Sequence, residues 1–168
     1  MSTHSDPEGT RGESENASLT VYRRFGFRFQ TLLSTAKGLN DNGHHEAAIV
    51  TAQTACEVCT AMVLTEILKI RDIDYLSDAL APTDGLLPNY NLSRKDVRRY
   101  YEAVTEDKIA EDDNDRWTRF QKHVRRRNKV VHHAGESATK AEADASIRVV
   151  QEMIEHILQH HDAKWRQS

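Results

Sequence analysis

The apolar periodicity of the chain constrains its fold more than any other feature. From about His44 to Ile70, Ala48, Ala52, Ala55, Cys59, Met62, Val63 and Ile67 recur mostly at intervals of three and four, the spacing that puts side chains on one face of an α-helix. An earlier stretch repeats the pattern with Tyr22, Phe25, Phe29, Leu32, Leu33, Ala36 and Leu39. Ser18 suits its N-cap, and the turn signal Asn40-Asp41-Asn42-Gly43 ends it. Only three Pro and seven Gly interrupt 168 residues, a balance that favours helices over a β-sandwich in one domain large enough to bury a core. The expected fold is all-α, an up-and-down bundle of four to five helices over residues 18–168. Residues 1–17 hold no hydrophobic side chain besides Met1 and Ala17 and are expected to form a disordered tail.

Further along, Pro82-Thr83-Asp84-Gly85 reads as a turn, and a short helix fits Ile73 to Leu80. Ser93 followed by Asp96 has the spacing of a capping box opening a third helix to about Val104, with Val97, Tyr100 and Tyr101 on its apolar side. Arg94, Lys95, Arg98 and Arg99 make its other side basic. The acidic segment from Glu106 to Asp115 is expected to be a loop. A helix then runs from about Asp115 to Ala134, and Gly135 stops it. Thr139 and Glu142 form a second capping box, which opens a last helix with Ala143, Ile147, Val150, Ile154, Ile157 and Leu158 turned inward.

Chemistry concentrates in Arg125-Arg126-Arg127-Asn128-Lys129-Val130-Val131-His132-His133-Ala134-Gly135. At about 100° per residue, Trp117, Phe120, Val124 and Val131 fall on one narrow face of the penultimate helix, and positions 127 and 128 occupy the gap in it. Packing gives no reason for Arg127 there. Asn128 and His132 are four residues apart and share a face. Arg126 and His133 are expected to point the other way, toward solvent.

The segment from Arg127 to His132, followed by Gly135, a capped helix start and an apolar last helix, resembles the signature of the HEPN domain, the higher eukaryote and prokaryote nucleotide-binding family. That signature is an Arg, usually followed by a polar residue such as Asn, with a His after four to six intervening residues. The resemblance covers residues 19–165, including the long second helix with Glu57 and the approach Trp117-Thr118-Arg119-Phe120. It implies a two-fold dimer that brings two motifs into one cleft, and metal-independent endoribonuclease activity without a cofactor. Arg127, Asn128 and His132 would then be the catalytic set, Lys122, Arg125, Arg126, Lys129 and His133 would contact RNA, and Glu57 would support the site. Arg125, Arg126 and Arg127 all satisfy the spacing to His132, and Arg127 is preferred because Asn follows it. Some toxins of the family carry, two residues after the His, a Tyr that their antitoxins modify. Ala134 stands there in this chain.

The residue chemistry suits cleavage by a neighbouring 2′-hydroxyl, which needs proton acceptance, proton donation and compensation of charge on the phosphate oxygens. Imidazole titrates near neutrality, and guanidinium offers a permanent cationic fork. Two other readings fit the same residues: a non-catalytic module that binds nucleotide, RNA or a protein partner, and a structural bundle in which Arg127 and Asn128 pair at a dimer interface. The expected partners are RNA, a second copy of the chain, and an antitoxin or regulatory protein. The net charge of −3 decides little, because a local basic patch matters more to a polyanion than the sum. No metal site is expected. Cys56 and Cys59 read as core residues, without the second pair that a structural zinc site needs. His156 and His160 read as a solvated helix face. No apolar run approaches the ~20 residues of a membrane span, and a cytoplasmic location is expected.

Overall fold

The structure is a computed structural model that describes residues 28–71, 89–111, 115–132 and 137–165, with the side chains of the last stretch given to 161. Among these residues there are helices and no strand. Helix α1 is described over 28–41, α2 is His45–Ile70, α3 is Lys95–Thr105, a 3₁₀ turn covers Ile109–Glu111, α4 is Arg116–His132 and α5 is Lys140–Trp165. The all-α reading therefore holds. The expected tail over 1–17, the start of the first helix with Tyr22 and Phe25, and the short helix over Ile73 to Leu80 lie outside the described residues.

Helix α2 is the centre of the bundle and packs against α3, α4 and α5. Its Ala48, Ala52, Ala55, Cys59, Val63 and Ile67 are buried, as the periodicity requires, but so are Ile49, Gln53, Cys56, Thr60 and Leu64. Burial thus extends well beyond one stripe, because neighbours cover the helix from several sides. The small side chains at 48, 52 and 55 let those neighbours approach closely. Helix α2 is also long and apolar enough to cross a membrane by length and composition, which corrects the expectation that no run approaches that size. Just over half of its most apolar window, 56%, is buried inside the fold, and coverage by helices accounts for that composition. Cys56 and Cys59 are buried free thiols. Burial pushes both up, Cys59 to about 12.

The helix boundaries have local causes. The turn after α1 brings Gly43 to φ +83°, a left-handed conformation that glycine adopts without strain. The turn is closed by bonds from His44 N to Leu39 O, 2.8 Å, and from Gly43 N to Asn40 O, 3.1 Å. Asn40 itself is buried: its amide donates to Asp144 Oδ1 at 2.6 Å and its Oδ1 lies 2.6 Å from His45 Nδ1. One side chain therefore joins α1, α2 and α5. The capping box before α5 forms as expected, with Thr139 N donating to Glu142 Oε2 and Glu142 N to Thr139 Oγ1. Those bonds from Thr139, helped by Arg126, hold the Glu142 carboxyl below its ordinary value.

The Ser93–Asp96 capping box does not form. Arg94 is the N-cap of α3 and no side chain caps it, because Asp96 turns to the Arg94 guanidinium at 3.0 Å. The segment after α3 is also more than a loop. Glu106 takes φ +62°, which folds the chain back so that Asp107 and Ile109 are buried. Replacing Asn40 by Ala should lower unfolding stability by about 1–2 kcal/mol in chemical denaturation, the cost of removing a buried, doubly partnered amide. A smaller change would show that this turn does not depend on the side chain.

Candidate functional site

Helix α4 carries the basic segment, and its rotational setting decides which side chains are available. Phe120, His123 and Val124 are its buried residues. Trp117 packs at the edge, tilted against Phe120 with ring centroids 5.8 Å apart and the Arg98 guanidinium 5.1 Å from its own centroid. The buried face is thus turned toward His123 relative to the sequence expectation, and Val131, expected inward, is 45% exposed. The reason is that α2 and α5 both offer polar partners to α4, so polar side chains can occupy its covered side.

His123 was not foreseen. It is buried, and its Nε2 lies 3.0 Å from Gln53 Oε1 of α2. The Gln53 amide nitrogen in turn donates to Glu57 Oε1 at 2.8 Å. Gln53 therefore presents its carbonyl to the imidazole, and His123 must donate through Nε2–H. Its Nδ1 is buried with no hydrogen-bond partner among the described residues. Burial, reinforced by the charges of Arg126 and Arg127, depresses the His123 pKa from 6.5 to about 3. Glu57, expected to support the site, contacts Gln53 of its own helix, and Gln53 stands between it and His123 of α4. The only signal in the sequence was a His between Phe120 and Val124, and no single-helix pattern reveals a partner on another helix.

Arg126 corrects the sequence reading. Its Nη1 donates to Ser146 Oγ at 3.1 Å and its Nε stands 3.5 Å from Glu142 Oε1. It is partly covered and held against α5, where the expectation placed it in solvent. Arg127 is partly buried, its Nη1 donates to the Asn128 side-chain oxygen at 3.2 Å, and its buried Nε has no hydrogen-bond partner among the described residues. Asn128 and His132 were expected on an inward face, yet both are exposed. The last turns of α4 thus present Asn128, Lys129, Val131 and His132 outward. His133 lies outside the described residues.

Beside this helix end, Lys122, Arg125, Arg126, Lys129 and Val130 line one wall of a cleft of about 330 Å³, with Ser137, Ala138 and Glu142 on the other. The opposite wall is fixed by Glu46 at the start of α2, which accepts a hydrogen bond from Ala138 N at 2.6 Å. That bond chiefly holds the Glu46 carboxyl below its ordinary value. Four of the five residues expected to contact RNA therefore share one groove. No protein-family model, curated protein or solved structure matches this chain. What the end of α4 can do must follow from its own side chains: a cationic groove can hold phosphates, Arg127 can orient one, and an exposed imidazole can exchange protons.

His123 yields a prediction on pH. Its folded pKa is depressed, so between 6.5 and about 3 the unfolded chain binds a proton that the folded chain refuses, and stability falls as pH falls through that window. The slope should rise toward about 1.4 kcal/mol per pH unit by about pH 5, where the unfolded imidazole is almost fully protonated. Denaturant titrations at pH 7, 6 and 5 should show it in the wild type and lose it in His123→Leu. A slope unchanged in the variant would assign the effect to other groups.

Proposed function

We propose that this chain is a metal-independent endoribonuclease that cleaves single-stranded RNA by attack of the neighbouring 2′-hydroxyl, acting as a two-fold dimer in the cytoplasm. The observation that carries the reading is the Arg127–Asn128 pair on the outer face of α4, with the exposed His132 one turn further on and a cationic groove beside them. Arg127 compensates charge on the scissile phosphate, Asn128 orients it, and His132 moves the proton. The Nε of Arg127, without a partner among the described residues, is a donor that a phosphate oxygen would satisfy.

Dimerisation is part of the proposal because the reaction needs one group to accept a proton and another to return one. His123 cannot be the second, being buried and neutral. A C2 axis near the end of α4 would supply a second His132. Val131, 45% exposed beside His132, is an apolar side chain suited to such an interface. Pairing with an antitoxin or regulatory protein belongs to the same resemblance to the HEPN family and is proposed with it.

A labelled single-stranded RNA should be cut in the presence of chelator, leaving a 2′,3′-cyclic phosphate and a 5′-hydroxyl. Arg127→Ala and His132→Ala should each lower the rate at least about 100-fold while circular dichroism stays unchanged. Equal cutting by those variants would refute the assignment. The second reading, a non-catalytic RNA-binding module, draws on the exposed Lys122, Arg125 and Lys129 around the groove. It predicts binding without cutting, weakening steeply with salt. Val131→Glu should shift the chain toward monomer in sedimentation velocity and lower cutting with it. Full activity in a monomer would remove the shared cleft from the mechanism.

A further inference from the structure

The other end of the bundle holds a cluster that the ribonuclease reading does not use. His156 and His160 are one turn apart on α5, and Asp107 reaches them from the segment after α3. One ligand atom from each of the three side chains falls within 4.8 Å of the others. We propose that Asp107, His156 and His160 form a binding site for a divalent transition-metal cation of the zinc class, with at least one coordination position open to solvent.

The donor set fits. Two imidazoles at i and i+4 share a helix face, and two His with one carboxylate is a ligand combination that zinc accepts. The spacing fits as well. Tetrahedral ligands at about 2.0–2.1 Å from zinc stand roughly 3.3 Å apart. His160 Nε2 is 3.6 Å from Asp107 Oδ1, and His156 Nε2 is 2.8 Å from Asp107 Oδ2. The longer distance is too great for a hydrogen bond, so a hydrogen-bonded His–Asp pair explains His156 but leaves His160 unexplained. A cation between the three groups uses both imidazoles. Their rings already lie close, with centroids 4.7 Å apart and planes tilted by 51°.

The carboxylate is held as metal ligands commonly are. Tyr101 OH donates to Asp107 Oδ2 at 2.8 Å, and Asp107 N donates to Thr105 Oγ1 at 3.1 Å. Asp107 is 4% exposed, and these bonds fix where its carboxylate oxygens stand. A non-glycine residue, Glu106, is held at φ +62° immediately before it, a conformation that costs free energy and delivers the carboxylate inward. The side chain of His160 is 44% exposed, against 13% for His156, which provides both access and the open position. The cluster is remote from His132: at about 1.5 Å per residue, His156 is roughly 24 Å along α5 from Lys140 at the other end.

Metal binding can be read directly. The untagged 168-residue chain, stripped with chelator, is titrated with cobalt(II) and then zinc(II), with the visible spectrum and equilibrium dialysis recorded. The expected result is one equivalent per chain, the absorption of four-coordinate cobalt, and its loss on zinc addition. His160→Ala should weaken binding by about 100-fold or more and Tyr101→Phe by about ten-fold, as for loss of a ligand and of its supporting partner. His160 is half exposed, so its variant should keep the fold, checked by circular dichroism. It decides the matter even if His156→Ala proves unstable. Failure of the wild type to take up stoichiometric metal, or undiminished binding in His160→Ala, would overturn the site.

Discussion

The hydrogen bond between His123 of α4 and Gln53 of α2, 3.0 Å long and fully buried, sets the rotation of the helix that carries the basic motif. With His123 turned into the core, Arg126 three residues on meets α5, Arg127 four residues on lies at the edge, and Asn128 and His132 face solvent. A helix turned to satisfy apolar residues alone would bury Val131 and bring Asn128 and His132 closer to the core. The buried pairing thus exchanges one apolar contact at the helix end for an exposed polar set. Satisfied buried polar networks tend to specify one arrangement in this way.

The same logic appears at both ends of the bundle. Near the motif, Asn40 joins three helices and Glu46 fixes Ala138, so the short connection into α5 is tied to α2. At the far end Asp107 accepts from Tyr101 and lies against His156, which ties the segment after α3 to α5. Helix α5 is therefore held by polar contacts near its two ends and by an apolar middle of Ile147, Val150, Met153, Ile154 and Ile157. The arrangement gives each end a fixed geometry, and the two polar clusters are separated by core.

The existence and order of the described helices were legible in the sequence, because long apolar periodicity is a strong signal. One stripe of core positions on each of α2 and α5 was legible for the same reason, but the buried Ile49, Gln53, Cys56, Thr60 and Leu64 of α2 and Val149 and Met153 of α5 lie outside it, because neighbours cover these helices from more than one side. The phase of α4 was not. A buried polar side chain breaks the apolar pattern of its own helix, and its partner lies about seventy positions away on another. Arg126 illustrates this: one-helix geometry put it in solvent, whereas Ser146 and Glu142 hold it. Asp107 illustrates it again. The spacing of His156 and His160 was visible, but a third donor depends on a chain reversal at Glu106 that no propensity announced. Ser93 and Asp96 had the spacing of a cap and lost it to a closer ion pair with Arg94.

The structure also separates the three arginines that satisfy the same spacing to His132. Arg126 is engaged with α5, and withdrawing it to meet a phosphate would break its contacts with Ser146 and Glu142. Arg125 is exposed in the groove and can meet a phosphate, but no bond among the described residues orients it. Arg127 combines partial burial, a bond to Asn128 and an Nε without a partner among the described residues. Partial burial limits its rotamers, so less entropy is lost when it engages an anion. On the proposed ribonuclease reading, the residue best prepared to hold one phosphate in one geometry is therefore Arg127, and Arg125 is better suited to attracting a polyanion than to positioning it.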